Sequence, residues 1–188
     1  MDSVGNPTHE EWLAGGGMEH ATRPSTLRQP HQNKRLDWLR RRVVRETLDV
    51  GCNWGYSTNY IYADVGLDIN PTNIDFASLA FPQRKFVVGD ARFLPFKGKS
   101  FATVVLADIL EHLGRSYAVD AVVEACRVAR ENILITLPWK QDDKCACCFK
   151  HEWIPDWHTI SFLGVVAHEH PIKIEIDDYF CYIEVFLD

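Results

Sequence analysis

The residues best suited to chemistry in this chain are two carboxylates, Asp68 and Asp90, a turn bearing Gly51 and Gly55, and the Glu111-His112 pair. Glycine lacks a Cβ, so a tight turn built on it lets backbone N–H groups approach a ligand closely. A helix that starts beyond such a turn adds its own unpaired N–H groups. An ionised carboxylate only accepts hydrogen bonds, and in dinucleotide folds an acid roughly 20 residues past the first glycine takes the ribose hydroxyls. Asp68 stands near that offset from Gly51. The order strand, turn, helix start, strand, carboxylate therefore describes a nucleoside pocket made from two strand ends. His112 adds a group whose ordinary pKa suits proton transfer near neutrality, with Glu111 beside it.

Such residues need elements to hold them. Thr47–Val50 reads as a first strand, Tyr56–Tyr62 as a short helix and Asp64–Ile69 as a second strand. Pro71 opens a second helix at its favoured first position. Lys85–Gly89 is a third strand that runs into the loop at Asp90. Phe101–Ala107 is continuously apolar, as a strand covered on both faces should be. A helix follows over Ser116–Ala129 with Ser116 as N-cap, then a fifth strand over Asn132–Leu137 that Pro138 ends. Ile172–Ile176 and Tyr179–Leu187 form a hairpin about Asp177-Asp178.

Upstream, apolar spacings of three and four predict a helix over about 31–45, with Leu36, Trp38, Leu39, Val43 and Val44 turned inward. Residues 1–30, with Gly15-Gly16-Gly17, read as an extended arm. The expected fold class is α/β: a doubly wound, Rossmann-like sheet, mostly parallel, with an antiparallel C-terminal hairpin, in one domain over 31–188.

Composition narrows the function. A chain of 188 residues, 46% of them apolar, can bury a sizeable core. No apolar stretch approaches the roughly 20 residues of a membrane span, and no basic-then-apolar leader opens the chain, so the expected setting is cytoplasmic with reduced cysteines. A net charge of −6 argues against wholesale coating of nucleic acid. Eight of the twenty basic residues nevertheless lie between Arg23 and Arg45, against the single acid Asp37. That run is either a solvated helix face or a contact for an anionic partner.

Four motifs in order, Leu48-Asp-Val-Gly-Cys-Asn-Trp-Gly55, Val65-Gly-Leu-Asp-Ile-Asn70, Gly89-Asp-Ala-Arg-Phe-Leu-Pro-Phe96 and Val104-Val-Leu-Ala-Asp-Ile-Leu-Glu-His-Leu113, resemble the class I S-adenosylmethionine (SAM)-dependent methyltransferases of the small type 11 branch. The likeness covers about residues 46–138, and the terminal hairpin fits it. It implies SAM as cofactor, with Gly51, Cys52, Asn53 and Gly55 against its methionine portion and Asp49 orienting this turn or the ammonium. It further implies that Asp68 accepts from the ribose, that Ile69 flanks the adenine, and that Asp90 and the Ala91 N–H meet the adenine edge. Ala107 and Asp108 would lie near the sulfur. The family's middle glycine is Asn53 here, the non-glycine residue that most readily takes positive φ. Trp54 follows it, bulky enough to crowd the pocket unless it turns away, and the helix before Val65 is about one turn short.

Methyl transfer asks the protein mainly to align a nucleophile and exclude water. His112 is the candidate base and Glu111 its neighbour. Asp108, Glu111 and His112 also resemble an acid–acid–His set that holds a divalent metal in ubiquinone-type O-methyltransferases, where oxygen-rich ligands would suit magnesium, but no metal is assigned to the site. Trp139, His151, Trp153, Trp157 and His158 follow the fifth strand, where a substrate lid belongs. Cys145, Cys147, Cys148 and His151 lack the second half of a usual zinc site.

A nicotinamide dinucleotide is a rival ligand, disfavoured because G-x-G-x-x-G is absent. The expected partner is a small-molecule acceptor and no membrane. An RNA or protein substrate using the 23–45 run is the alternative; nucleic acid is not favoured, because Ala107-Asp-Ile-Leu110 replaces the (Asp/Asn)-Pro-Pro-(Tyr/Phe) motif of exocyclic-amine enzymes. A catalytically idle SAM-binding subunit is the third reading. Neither the acceptor atom nor the oligomeric state is written in these motifs.

Overall fold

The computed structural model describes residues 30–139, 156 and 170–187. Its elements are α1 (Pro30–Arg40), β1 (Thr47–Val50), α2 (Tyr56–Tyr60), β2 (Val65–Asp68), α3 (Pro71–Ala80), β3 (Lys85–Val88), β4 (Phe101–Ala107), a 3₁₀ turn (Leu110–His112), α4 (Arg115–Val128), β5 (Ala129–Pro138), β6 (Ile172–Ile176) and β7 (Phe180–Phe186). The strands form one sheet in the order β3-β2-β1-β4-β5-β7-β6. The first five are parallel, and β7 enters antiparallel between β5 and β6. The chain thus winds outward from β1 to β3, then crosses back to β4 and β5. That reversal leaves a crevice beyond the carboxyl ends of β1 and β4, where open α/β sheets bind ligands.

Alternation along the central strands explains the burial of both sheet faces. Val104 and Leu106 of β4, with Ile133, Ile135 and Leu137 of β5, face a core completed by Ala118, Ala121, Val122, Ala125 and Val128 of α4. Val105 and Leu134 point the other way, into a second cluster with Leu36, Trp38 and Leu39 of α1 and Phe180 and Tyr182 of β7. Each fully buried Leu or Ile contributes about 1.5–3 kcal/mol relative to exposure. A polar chain crosses this apolar interior: Thr103 Oγ1 donates to Asn132 Oδ1 (2.7 Å) and Asn132 Nδ2 to Glu184 Oε1 (3.2 Å). Arg42 Nε ends it at Glu184 Oε2, 3.4 Å away, with its guanidinium 4.2 Å over the Trp38 ring.

The doubly wound, mostly parallel sheet with its antiparallel end is the expected one, and β1 and β4 have the expected bounds. Several local readings change. Helix α1 stops at Arg40, so Val44 lies exposed in the following turn, where its N–H donates to Thr103 Oγ1. Helix α4 begins at Arg115 after Gly114, which places Ser116 inside the helix rather than at its cap. In the hairpin, Asp177 N–H donates to the Phe180 carbonyl, so Asp178-Tyr179 forms the tip in place of Asp177-Asp178. The Asp177 side chain does the work glycine would do elsewhere, accepting from the N–H groups of Tyr179 and Phe180. Residues 1–29 and most of the segment after β5, including His151, Trp153, Trp157, His158 and Cys145, Cys147 and Cys148, lie outside the described residues.

Candidate functional site

Four adjacent strand ends carry the residues that the motifs singled out: Asp90 after β3, Asp68 on β2, Gly51 after β1 and Asp108 after β4. The Gly51 and Cys52 N–H groups both donate to the Leu67 carbonyl, at 2.7 and 3.0 Å, which turns the chain tightly off β1. Gly51 has φ 74°, and a Cβ there would overlap Ile109 Cδ1, so the position admits glycine for two separate reasons. Asn53 has φ 49°, the positive value its type permits. Gly55 has φ 80° and opens α2 with no side-chain cap.

Asp49 is buried beneath this turn. Both Ser57 Oγ and Thr58 Oγ1 donate to its Oδ2 at 2.7 Å, so it anchors the start of α2. Burial pushes its carboxyl up to about 6, against the opposing pull of the two hydroxyl donors. The buried Cys52 thiol is likewise pushed up by burial and remains a thiol.

Asp68 fastens the neighbouring loops together. Its Oδ2 accepts from the Asn53 N–H at 2.9 Å, and its Oδ1 accepts from the Asn70 N–H at 2.9 Å and Asn73 Nδ2 at 3.2 Å. A carboxylate offers about four acceptor positions, so Oδ2 retains capacity for a ligand hydroxyl. Trp54 turns toward α3: its Nε1 donates to Asn73 Oδ1 at 3.1 Å, and its ring meets Phe76 edge-on with centroids 6.0 Å apart. Ile69 is 65% exposed beside Asp68, an apolar surface open to a planar ring.

The Gly89 N–H donates to the Asp68 carbonyl at 2.9 Å, which brings Asp90 next to Asp68. The Asp90 carboxylate is gripped by Arg92, whose Nη2 reaches Oδ2 at 2.5 Å and whose Nε lies 3.0 Å from both oxygens. That grip holds Asp90 below the usual carboxylate range. Ala91 is buried against the core.

Ala107 is half-buried at the end of β4, and Asp108 follows at φ 50°. Thr136 Oγ1 donates to Asp108 Oδ1 at 2.7 Å, and Arg35 Nη1 of α1 lies 2.6 Å from Oδ2. Glu111 is only 1% exposed, and burial followed by the charge of Asp108 pushes its carboxyl well above the ordinary range. The His112 side chain, 24% exposed, places Nε2 4.0 Å from Glu111 Oε1. Of the pair, only His112 therefore presents a face to incoming molecules. Among the described residues no group of three or more His, Cys, Asp or Glu side chains could hold a metal ion.

Trp139, expected in a lid, is buried in the core instead. β5 stays paired with β7 through Pro138–Phe180, and the Trp139 N–H donates to the Tyr179 carbonyl. Sequence reasoning missed Ser57, Thr58, Asn73, Thr136 and Arg35. The first four carry no pattern. Arg35 does carry one: Arg35, Trp38, Leu39 and Arg42 recur at helical spacing, which puts Arg35 on the inward face.

Residues 48–136 match the family model for a methyltransferase domain. In fold, the chain is similar to the PH0226 protein of Pyrococcus horikoshii, at TM-score 0.67 and 16% identity over 91% of this chain and 99% of that one. It is also similar to magnesium protoporphyrin IX methyltransferase of Synechocystis, solved with bound S-adenosylhomocysteine (SAH), at TM-score 0.64 and 16% identity over 83% and 81%. A third likeness is to the cyclase SpnF, at TM-score 0.66 and 12% identity over 83% and 80%. No curated protein matches the chain in sequence. The family match and the shared sheet bear out the resemblance to class I methyltransferases read from the four motifs.

Proposed function

We propose, from the premise that residues 48–136 form a methyltransferase domain of the class I fold, that the chain transfers the methyl group of SAM to a small-molecule acceptor. The observation that supports this most is the row of four strand ends, with a glycine turn closed by Ile109 and a buried carboxylate, Asp68, fastened beneath it. When bound, SAM supplies an already activated methyl group, so the protein contributes alignment and dryness.

The residues fit that ligand. Gly51 lets the turn close tightly against Ile109, Asp68 keeps acceptor capacity for ribose hydroxyls, and Ile69 offers an apolar flank for adenine. Asp90 would share its carboxylate between Arg92 and the adenine amino group, with the Ala91 N–H beside it. Asp49 holds the turn through Ser57 and Thr58, with Cys52, Asn53 and Gly55 shaping the same bend. Ala107 and Asp108 close the side from which the acceptor approaches. His112 removes the acceptor's proton where one must leave, and Glu111, its carboxyl pushed well above the ordinary range by burial and then by the charge of Asp108, lies 4.0 Å from the imidazole.

The small-molecule reading gains from the use of the basic run. Lys34 pairs with Asp177, Arg35 with Asp108 and Arg42 with Glu175 and Glu184, so three of the eight basic residues are engaged within the fold. Free thiols at Cys52, Cys126 and Cys181 suit a reducing cytoplasm, and no helix among the described residues is long and apolar enough to cross a membrane. Calorimetry with SAM and SAH, followed by transfer of labelled methyl to panels of phenols, amines and carboxylic acids, tests the proposal. Binding with turnover is expected; binding without turnover on any acceptor class would favour the idle-subunit reading, and salt-sensitive RNA methylation the polyanion one.

A further inference from the structure

We infer that β6, the last strand of the sheet, is the seam of a two-fold dimer, in which β6 of one copy pairs antiparallel with β6 of a second copy of this chain. The seam lies at the sheet's outer edge and does not depend on what the crevice binds. The strand reads Ile172-Lys173-Ile174-Glu175-Ile176 and, among the described residues, pairs along one edge only, with β7. At the two ends of that register the Asp177 N–H donates to the Phe180 carbonyl and the Phe186 N–H to the Pro171 carbonyl, each at 3.0 Å. Hydrogen-bonded pairs alternate with non-bonded ones in an antiparallel ladder, so Lys173 and Glu175 turn their backbone groups towards β7. Ile172, Ile174 and Ile176 therefore aim their N–H and carbonyl groups at the outer edge, where no hydrogen bond meets them among the described residues.

The side chains select the occupant. An open strand edge is a template for another strand, and a lone Lys on it discourages pairing. Here Lys173 is matched by Glu175 on the same face, so the strand is complementary to itself when reversed. Two copies that meet with Ile174 opposite Ile174 bring all their outward backbone groups into hydrogen-bonded pairs, with Ile172 facing Ile176. Lys173 of each copy then stands opposite Glu175 of the other, at non-hydrogen-bonded positions, where side chains approach most closely. Sliding one copy by two residues sets Lys against Lys or Glu against Glu. Sliding it by one sets the outward groups against groups already turned to β7. Within one copy Lys173 Nζ lies 3.0 Å from Glu175 Oε1, so the seam exchanges this ion pair for its equivalent between copies. The charges therefore set the register, while the backbone bonds and the isoleucine row, with Ile174 40% exposed, supply the attraction.

A five-residue seam falls below the standard interface of about 1,200 Å² or more, so the expected dissociation constant is on the order of 10–100 μM. Sedimentation velocity over about a hundredfold range of concentration spanning that value should carry wild type from monomer to dimer. Ile174→Pro removes an outward N–H and no bond to β7, so it should weaken the dimer by about tenfold or more while the circular dichroism stays that of wild type. Lys173→Glu and Glu175→Lys should each be monomeric alone, because like charges then face each other across the seam. Mixed together they should dimerise, since the mixed pair sets Glu against Lys at both positions; misfolding would not be rescued in this way. A wild type that stays monomeric throughout overturns the inference. So does a dimer that Ile174→Pro leaves intact, or two folded charge variants that remain apart on mixing. Should a charge variant fail to fold, Ile174→Pro alone decides.

Discussion

The backbone N–H of Asn53 donates to Asp68 Oδ2 at 2.9 Å, so the turn that leaves β1 is fastened to the carboxylate that ends β2. One side chain thereby shapes the pocket and, on the proposed reading, contacts the ribose. Asp68→Ala should weaken SAM binding by about tenfold, as expected when hydrogen bonds to a charged group are lost. It also strips the acceptor from the N–H groups of Asn53 and Asn70 and from Asn73 Nδ2, which should lower stability by about 1–3 kcal/mol. Calorimetry and urea unfolding on the same preparation separate the two effects. Unchanged affinity would remove Asp68 from the ligand site.

Gly51 and Ile109 occupy one space from two sides. Gly51→Ala should destabilise the fold by about 1–3 kcal/mol, from overlap with Ile109 and from the positive φ together. Ile109→Ala removes the Cδ1 and Cγ1 atoms that the new methyl would meet. The double variant should therefore be more stable than the sum of the two single losses predicts. Strict additivity in denaturant midpoints would show that the backbone angle, and not the contact, sets the requirement.

Asp49 gives stability a defined dependence on pH. Its carboxyl is raised from the usual 3.8 to about 6 by burial, so between those values the folded state binds more protons than the unfolded state. Stability associated with this group is then greatest below about 3.8, falls as pH rises towards 6, and levels off above it. Asp49→Asn keeps an acceptor for Ser57 and Thr58 but cannot titrate. Urea midpoints measured from pH 4 to 7 should fall less steeply in the variant than in wild type; parallel curves would show that Asp49 ionises as freely when folded as when unfolded.

His112 and Glu111 should separate in their pH behaviour and in their kinetics. His112→Gln is expected to lower kcat by about 10²–10⁴ on an acceptor that must lose a proton, while SAM affinity holds. Glu111→Gln keeps the size and shape of the buried side chain, whose carboxyl burial pushes well above the ordinary range, and should retain most activity. Steady-state kinetics with a phenol-type acceptor decides between them. A Glu111→Gln loss as deep as that of His112→Gln would assign the proton transfer to the buried carboxyl.

Most of the scaffold was legible because its signals are local. A continuous apolar run from Phe101 to Ala107 needs cover on both faces, whatever surrounds it, and β4 has those bounds. Asn53 takes positive φ because its own side chain permits it, and Pro71 starts α3 because its ring fixes φ. The motif order sufficed to place Asp68, Gly51 and Asp108 on neighbouring strand ends, since right-handed crossovers in a parallel sheet leave few alternatives.

The tertiary structure decided what depends on partners distant in sequence. Arg35 meets Asp108 only because α1 docks across β4 and β7, and nothing near Asp108 announces that contact. Glu111 and His112 are sequence neighbours, yet a single 3₁₀ turn buries one and leaves the other at the surface. The place of Trp139 after β5 suggests a lid, but the pairing of Pro138 with Phe180 folds it into the core. Periodicity within a segment fixes which face is apolar. Which charge ends beside which is fixed only when separate elements exclude water between them.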